Sequence, residues 1–353
     1  MKNLYREFYT PSKEEFDKIW REGIFIFDSC VFLNLYEYSE QTSNDLLKII
    51  EHLKDRIWLP HQVGLEFFKE RLSVIHRQKN AYSQLITALD GATEVFKKTF
   101  NKANLQQTHR YFDKELILNK VTSKITSLKR NINKLKEKHP NWTNKDEILD
   151  KITLLFDGNK HGAPFKKEDY EKICKEADRR YSEDCPPGYM DAKKDNDDKT
   201  NKKKYGDYLI WRQIIDFAKK VKKPILFITE DIKEDWWKLK DKTTKTILAP
   251  RDELIKEIFE EANVNFYIYQ TNQFIKNATK LFNITIADKT IKEVKNIPSD
   301  IKEILTGEPA VVGTAMVNTD YVAQTSINDI GIIAGNSPEK NVGKTPKKRN
   351  KIT

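Results

Sequence analysis

Two short apolar runs, each followed closely by an acid, constrain the fold of this chain most. IFIF at 24–27 ends at Asp28, and PILFIT at 224–229 is followed two positions later by Asp231. Apolar runs without polar alternation are typical of strands that are buried on both faces, as in parallel sheets. Because the carboxyl ends of parallel strands meet at one edge of a sheet, we expect Asp28 and Asp231 to lie close together.

Helical patterns alternate with the strand patterns along the chain. Glu66 follows Pro60, which opens one of these helices, and Asp207 begins another. Alternation of this kind predicts an α/β fold with a doubly wound, mostly parallel sheet, whose ligand site lies beyond the carboxyl ends of the strands. The predicted helices cover 14–22, 29–38, 41–53, 207–217 and 252–262, and the predicted strands cover 24–27, 56–59, 224–229 and 265–270.

A long segment with almost no strand pattern interrupts these units. Apolar residues in it recur every three or four positions, which predicts an antiparallel helical hairpin or coiled coil that ends at Pro140. Its lysines fit either an ordinary solvated helix face or a surface that follows a nucleic-acid backbone. We predict a discontinuous catalytic domain at 1–67 and 186–282, a helical insertion at 68–185 and a weakly structured C-terminal extension at 283–353. The apolar residues of the seam are Leu118, Val121, Ile125, Leu128, Ile132 and Leu135.

Composition limits the partners and the compartment. With 63 Lys and Arg against 53 Asp and Glu, the chain carries a formal charge of +10. This balance favours polyanion partners, and it equally fits a lysine-rich solvated surface. The three cysteines form no CxxC pair, and no apolar run reaches signal or membrane-span length, so we expect a cytoplasmic protein without a membrane partner.

The four acids at strand ends and helix starts predict a metal site. Taken singly, Asp28 and Asp207 could be helix N-caps, Glu66 a first-turn acid and Asp231 a turn residue. Together they would bring like charges into one crevice, which is unfavourable unless a cation holds them. Oxygen ligands suit Mg²⁺ or Mn²⁺, and such a site is typical of phosphodiester chemistry.

Six motifs give the chain a resemblance to a known family. The chain resembles the bacterial PIN-like nucleases of the PIN/FEN-like group over about residues 20–275. The resemblance implies that Asp28, Glu66, Asp207 and Asp231 bind Mg²⁺ or Mn²⁺ and that Asp235 is a fifth catalytic contributor. The motifs are FIFDSCVFLNLY at 25–36, WLPHQVGLEFFKER at 58–71, RRYSEDCPPGYMDAKK at 179–194, YGDYLIWRQII at 205–215, FITEDIKEDWW at 227–237 and APRDEL at 249–254.

One position departs from the family pattern. Cys30 stands two residues after the first acid, where many PIN domains carry Asn or Ser. We expect this change to remove a hydrogen-bonding side chain without removing a metal ligand.

The same motifs contain basic and aromatic residues beside the acids. Basic side chains near a carboxylate cluster would suit the phosphates that flank a scissile bond, although the two arginines could equally be salt-bridge partners that hold the motif loops. The tryptophans could stack on bases, but we expect Trp211 and one of Trp236 and Trp237 to be core residues. The candidate substrate-binding residues are Arg180, Lys193, Lys194, Lys233 and Arg251.

The leading hypothesis is a metal-dependent nuclease that hydrolyses phosphodiester bonds in RNA or single-stranded nucleic acid. The resemblance favours RNA over DNA and a toxin-like or anti-phage defence effector. The alternative is a catalytically weak, nucleic-acid-binding or complex-forming subunit, with a protein partner or an oligomer contact through the helical insertion or the C-terminal extension. A phosphatase is less favoured, because DSC at 28–30 lacks the second acid of haloacid-dehalogenase-like enzymes.

Overall fold

The structure, a computed structural model, describes residues 1, 5–9, 11–102, 111, 113–192, 203–241, 243 and 246–296. No helix in these ranges is both long enough and apolar enough to cross a membrane. The described helices are α1 (Lys13–Glu22), α2 (Ser29–Leu33), α3 (Glu40–His52), α4 (His61–Lys102), α5 (Lys114–Lys138), α6 (Glu147–Leu155), α7 (Lys167–Ser182), α8 (Gly206–Val221), α9 (Asp252–Ala262), α10 (Thr271–Phe282) and α11 (Asp288–Asn296).

A three-stranded parallel sheet forms the centre of the fold. Its order is β1-β2-β5, and Ile24 of β1 pairs with Ile225 of β2, which pairs in turn with Phe266 of β5. Strands β3 and β4 form a separate antiparallel pair. The strands are β1 (Ile24–Phe27), β2 (Ile225–Ile228), β3 (Trp237–Asp241), β4 (Thr246–Pro250) and β5 (Phe266–Tyr269).

Helices cover both faces of the parallel sheet. On one face Trp20 of α1 packs against Phe25 and Tyr269, with ring centroids 5.4 and 5.3 Å apart. On the other face Trp211 of α8 packs against Phe266 at 4.9 Å. Side chains of adjacent strand residues point to opposite faces, so both faces of each strand are buried, as the unbroken apolar runs predicted. The doubly wound α/β prediction is therefore confirmed.

The predicted strand at 56–59 forms no continuous ladder. Ile57 makes an isolated parallel bridge to Phe25, and Leu59 makes another to His161. Two successive pairing positions therefore use different partners, because the chain leaves β1 and turns toward the start of α4. The prediction of a regular strand here was wrong, although the segment does lie beside β1.

The predicted helical hairpin is present as the pairing of α4 and α5. Lys129 Nζ lies 2.5 Å from Asp90 Oδ1, and Lys136 Nζ donates to Ser83 Oγ at 2.8 Å. Along the seam of α5, Leu128 and Leu135 are exposed and the other apolar residues are half-buried. The hairpin is therefore held by limited apolar burial together with surface polar contacts.

The first part of the C-terminal extension is helical. Helix α11 packs on α3, where Glu293 accepts hydrogen bonds from the Ser39 backbone N–H at 2.5 Å and from the Thr42 hydroxyl at 2.8 Å. Ser39 is the N-cap of α3 and makes no capping bond with its own side chain. Glu293 therefore supplies the acceptor for this helix start, and residues 297–353 lie outside the described ranges.

Candidate active site

Asp28 lies at the carboxyl end of β1 and caps α2. Its Oδ1 accepts from the Ser29 backbone N–H at 2.6 Å, and its Oδ2 accepts from the Thr229 hydroxyl at 2.7 Å. The side chain is buried. The N-cap explanation therefore holds for Asp28, and the same carboxylate lies at the strand end where the sequence predicts the site.

Asp231 lies in the loop that follows β2, the strand beside β1. Its backbone N–H donates to the Thr229 hydroxyl at 3.0 Å, the same hydroxyl that binds Asp28. Its carbonyl accepts from the Trp237 indole N–H at 2.6 Å. Thr229 therefore links the two strand-end acids, and Trp237 anchors the loop that presents Asp231.

Glu66 reaches the same region from the second turn of α4. Its Oε2 accepts from the Ser29 hydroxyl at 3.3 Å, and its Oε1 accepts from Gln62 Nε2 at 3.0 Å. The carboxylate lies over the start of α8, where a Cβ placed on Gly206 would be only 2.6 Å from Oε1. The absence of a side chain at Gly206 thus leaves room for the Glu66 carboxylate over the start of α8.

Lys233 connects the acids of the two later motifs. Its Nζ lies 2.9 Å from Asp231 Oδ2, 2.7 Å from Asp191 Oδ1 and 3.6 Å from Asp207 Oδ2. These carboxylates come from the loop after β2, a 3₁₀ turn at Tyr189–Asp191 and the first turn of α8. An ammonium group therefore lies among three carboxylates.

These contacts, together with one step along the backbone from Gly206 to Asp207, form a closed ring. Ser29 joins Asp28 to Glu66, and Glu66 lies over Gly206, the residue that precedes Asp207 in the chain. From Asp207 the ring passes through Lys233 to Asp231, and then through Thr229 back to Asp28. The ring contains the four acids that the sequence pointed to, which are Asp28, Glu66, Asp207 and Asp231.

Asp235 supports the ring from a fully buried position. It is 0% exposed, and its Oδ2 accepts from the backbone N–H groups of Gly188 at 2.9 Å and Met190 at 3.3 Å. Burial, and then the charges of Asp207 and Asp231, raise the pKa of Asp235 to about 7. Asp235 thus holds the 188–190 turn in place, and its Oδ1 has no hydrogen-bond partner among the residues that the structure describes.

Sequence reasoning did not single out two acids near the ring. Asp191 is buried and contacts Lys233, and it lies within the quoted motif RRYSEDCPPGYMDAKK at 179–194. Glu230 accepts from the Thr271 backbone N–H at 3.0 Å, and burial raises its pKa. Asp191 follows no strand and starts no long helix, so membership of the motif was its only available signal.

The expectation for Cys30 was wrong in one respect. Its thiol donates to Asp28 Oδ2 at 3.2 Å, and its sulfur accepts from the Glu230 backbone N–H at 3.4 Å. A hydrogen-bonding side chain therefore remains beside the first acid, because a thiol is a weak donor and acceptor.

The basic residues of the motifs have different surroundings. Arg180 is 6% exposed and binds Glu257 at 2.8 and 2.9 Å and the Pro186 carbonyl. Arg251 pairs with Glu253 in a partly exposed position. These contacts match the salt-bridge explanation, whereas Lys233 lies inside the acid cluster. Lys193 and Lys194 lie outside the described residues.

The three tryptophans considered for base stacking are core residues. Trp211, Trp236 and Trp237 are 2% exposed or less. The core prediction for Trp211 and for one of the pair is correct, and the second member of the pair is buried as well. None of the three rings is available to stack on a base.

The chemistry of the ring suits a hard cation. Its donors are carboxylate oxygens, which Mg²⁺ and Mn²⁺ prefer, and Asp235 adds a buried oxygen without a hydrogen-bond partner in the described ranges. In the present arrangement no three His, Cys, Asp or Glu side chains of the described residues are grouped as a metal site. The acids are instead gathered around the Lys233 ammonium, which shows that a positive charge fits between them.

Comparison with known proteins places this arrangement in a family. A family model described as a PIN-like domain matches residues 24–254, which is more than half of the 353 residues and includes every residue of the ring. No curated protein and no solved structure matches the chain. On the extent of the family match, this chain belongs to the PIN-like domain family.

Proposed function

We propose that this chain is a metal-dependent nuclease that hydrolyses phosphodiester bonds in RNA or single-stranded nucleic acid. The observation that carries the proposal is the closed ring of contacts through the acids at the carboxyl edge of the sheet. Family membership supports it, because PIN-like domains are generally nucleases.

Asp28, Glu66, Asp207 and Asp231 would hold Mg²⁺ or Mn²⁺. A bound divalent cation lowers the pKa of water at the site and stabilises negative charge on phosphate oxygens. This requirement for oxygen ligands explains why carboxylates are kept together despite their mutual repulsion.

The role of the remaining residues is to fix the carboxylates before substrate arrives. Ser29 and Thr229 orient Asp28, and Gln62 and Ser29 orient Glu66. Asp235 holds the turn that carries Asp191. Carboxylates that are already positioned lose little entropy when a ligand binds, which favours both binding and catalysis.

The substrate class follows from charge and from the family. The charge of +10 attracts polyanions, and the preference for RNA over DNA rests on the resemblance to PIN-like nucleases. A toxin-like or anti-phage role in the cytoplasm completes the proposal. The three cysteines, Cys30, Cys174 and Cys185, form no disulfide, which suits a reducing compartment.

The test is a cleavage assay with purified protein and labelled single- and double-stranded RNA and DNA in Mn²⁺, Mg²⁺ or EDTA. We expect cleavage only with metal and its loss in Asp207→Asn. The matched control is Asp216→Asn, a partly exposed acid on the same helix, α8, which should retain activity. Full activity in both Asp28→Asn and Asp231→Asn would refute the proposed site.

One observation favours the alternative of a PIN-like subunit that binds nucleic acid without cutting it. Lys233 already contacts three carboxylates, so the cluster is partly neutralised without a metal. Under this alternative the protein would bind labelled RNA in EDTA and would cut none of the four substrates in either metal.

A further inference from the structure

The Lys233 ammonium occupies a position that any cation of the ring would compete for. Two of its three carboxylate partners, Asp191 and Asp207, come from other segments of the chain, so the full set of contacts forms only when the fold is assembled. Two of those partners, Asp207 and Asp231, are also proposed metal ligands. The same oxygen cannot make a close contact with the ammonium and with a metal ion at once without strong repulsion between the two cations.

The side chain of Lys233 can move without its backbone. The Lys233 N–H donates to Asp231 Oδ1 at 3.0 Å, and its carbonyl accepts from the N–H groups of Trp236 and Trp237 at 3.2 Å each. The side chain is 23% exposed and has a flexible stem of four methylene groups between the backbone and the charge. A fixed backbone with a flexible, partly exposed stem allows the ammonium to leave while the loop stays in place.

We propose that Lys233 is a tethered cation that holds Asp191, Asp207 and Asp231 together in the metal-free protein and is exchanged when a divalent metal binds. The inference rests on the proposed metal-dependent function. Under this proposal Lys233 lowers the affinity for metal, because displacing the ammonium opposes part of the binding free energy of the metal.

The first test measures metal binding without nucleic acid. Mn²⁺ is titrated by calorimetry into the wild-type chain and into Lys233→Met, which keeps an apolar stem of similar length and removes the charge. We expect Lys233→Met to bind Mn²⁺ roughly ten- to hundredfold more tightly, the usual range of coupling between competing sites. Its Tm in EDTA should fall, because three carboxylates lose their shared cation, and saturating Mn²⁺ should restore it.

Two control variants separate charge from structure. Lys233→Arg keeps the positive charge and should bind Mn²⁺ about as weakly as the wild-type chain. Lys238→Met removes an exposed lysine that pairs with Asp252 outside the ring and should change neither affinity nor Tm by much.

A measurement on the unaltered chain covers the case in which Lys233→Met does not fold. Lysine acetylation followed by mass spectrometry should show Lys233 protected in EDTA and more reactive with Mn²⁺, with exposed lysines such as Lys238 unchanged. Equal Mn²⁺ affinity in wild type and Lys233→Met, or Lys233 reactivity that does not respond to Mn²⁺, would overturn the inference. If affinity changes as expected but no nucleic acid is cut, the inference stands and the proposed nuclease function fails.

Discussion

Gly206→Ala is a small change that tests the position of Glu66 without removing its charge. The added methyl would lie 2.6 Å from Glu66 Oε1, whereas ordinary contacts begin near 3.4 Å. The carboxylate must therefore move by about 0.8 Å. A shift of about 1 Å in a catalytic group can cost on the order of a hundredfold in rate, so we expect a ten- to hundredfold loss of cleavage.

Stability should not fall in this variant. Gly206 lies in the first turn of α8 and its φ is outside the left-handed region, so alanine fits the backbone. Alanine is a better helix former than glycine by up to about 1 kcal/mol, and the atom it meets is the end of a flexible side chain. We expect a Tm equal to or slightly above that of the wild-type chain.

The assay compares initial cleavage rates and melting curves for Gly206→Ala, Gly91→Ala, Glu66→Ala and the Glu66→Ala/Gly206→Ala double variant. Gly91→Ala is the control, because it lies on α4 with no neighbouring atom within 4 Å of the new methyl, and it should keep full activity. In a Glu66→Ala background, Gly206→Ala should cause no further loss, since both act through one carboxylate. Wild-type rates in a folded Gly206→Ala protein would contradict the assignment of Glu66 to the site.

Three further predictions concern other parts of the molecule. Asp235→Asn should raise the free energy of unfolding at pH 8 in EDTA by up to roughly 4 kcal/mol and change it little at pH 4. The reason is that the folded-state pKa of Asp235 is raised to about 7, so the wild-type chain loses stability as the pH rises from 4 to 7. Melting curves measured across this pH range check the prediction. Replacing residues 84–135 by a short Gly/Ser linker should leave a cooperatively folding protein with a Tm within a few degrees of that of the wild-type chain. The contact between Lys136 and Ser83 lies outside the replaced range, and the apolar seam within that range is at most half-buried. Loss of the cooperative transition would show that the hairpin belongs to the main core. Arg180→Met should destabilise the folded protein by about 3 kcal/mol and leave the salt dependence of nucleic-acid binding unchanged. If Arg251 contacts a phosphate, Arg251→Ala should reduce the dependence of binding affinity on salt and change stability little. Calorimetry measures stability, and a salt titration of binding in EDTA measures the salt dependence.

The sequence predicted the parts of the fold that depend on local patterns. Unbroken apolar runs identified β1 and β2, and their pairing in register brings Asp28 near Asp231, as expected. The range 252–262 predicted for one helix matches α9, because an acidic first turn and Asn263 in the left-handed conformation mark its ends. Periodicity and the positions of strand ends were therefore sufficient to predict these elements.

The rest depends on contacts that no local pattern contains. Lys233 was expected to face a phosphate, but its side chain lies among three acids, two of which, Asp191 and Asp207, come from other segments that only the assembled fold brings near it. Asp191 has no periodic element of its own. The 56–59 segment looked like a strand because its composition is apolar, yet its neighbouring pairing positions bond to different segments.

The ring also determines when, during synthesis of the chain, the proposed site can form. Thr229 and Asp28 are 201 positions apart, and Asp231 and Lys233 come later still. A nascent chain that has not yet reached these residues contains Asp28 and Glu66 but lacks the side chains that close the ring. An unfinished or prematurely terminated product therefore cannot assemble the ring, so translation delays formation of the proposed site until most of the fold has been made.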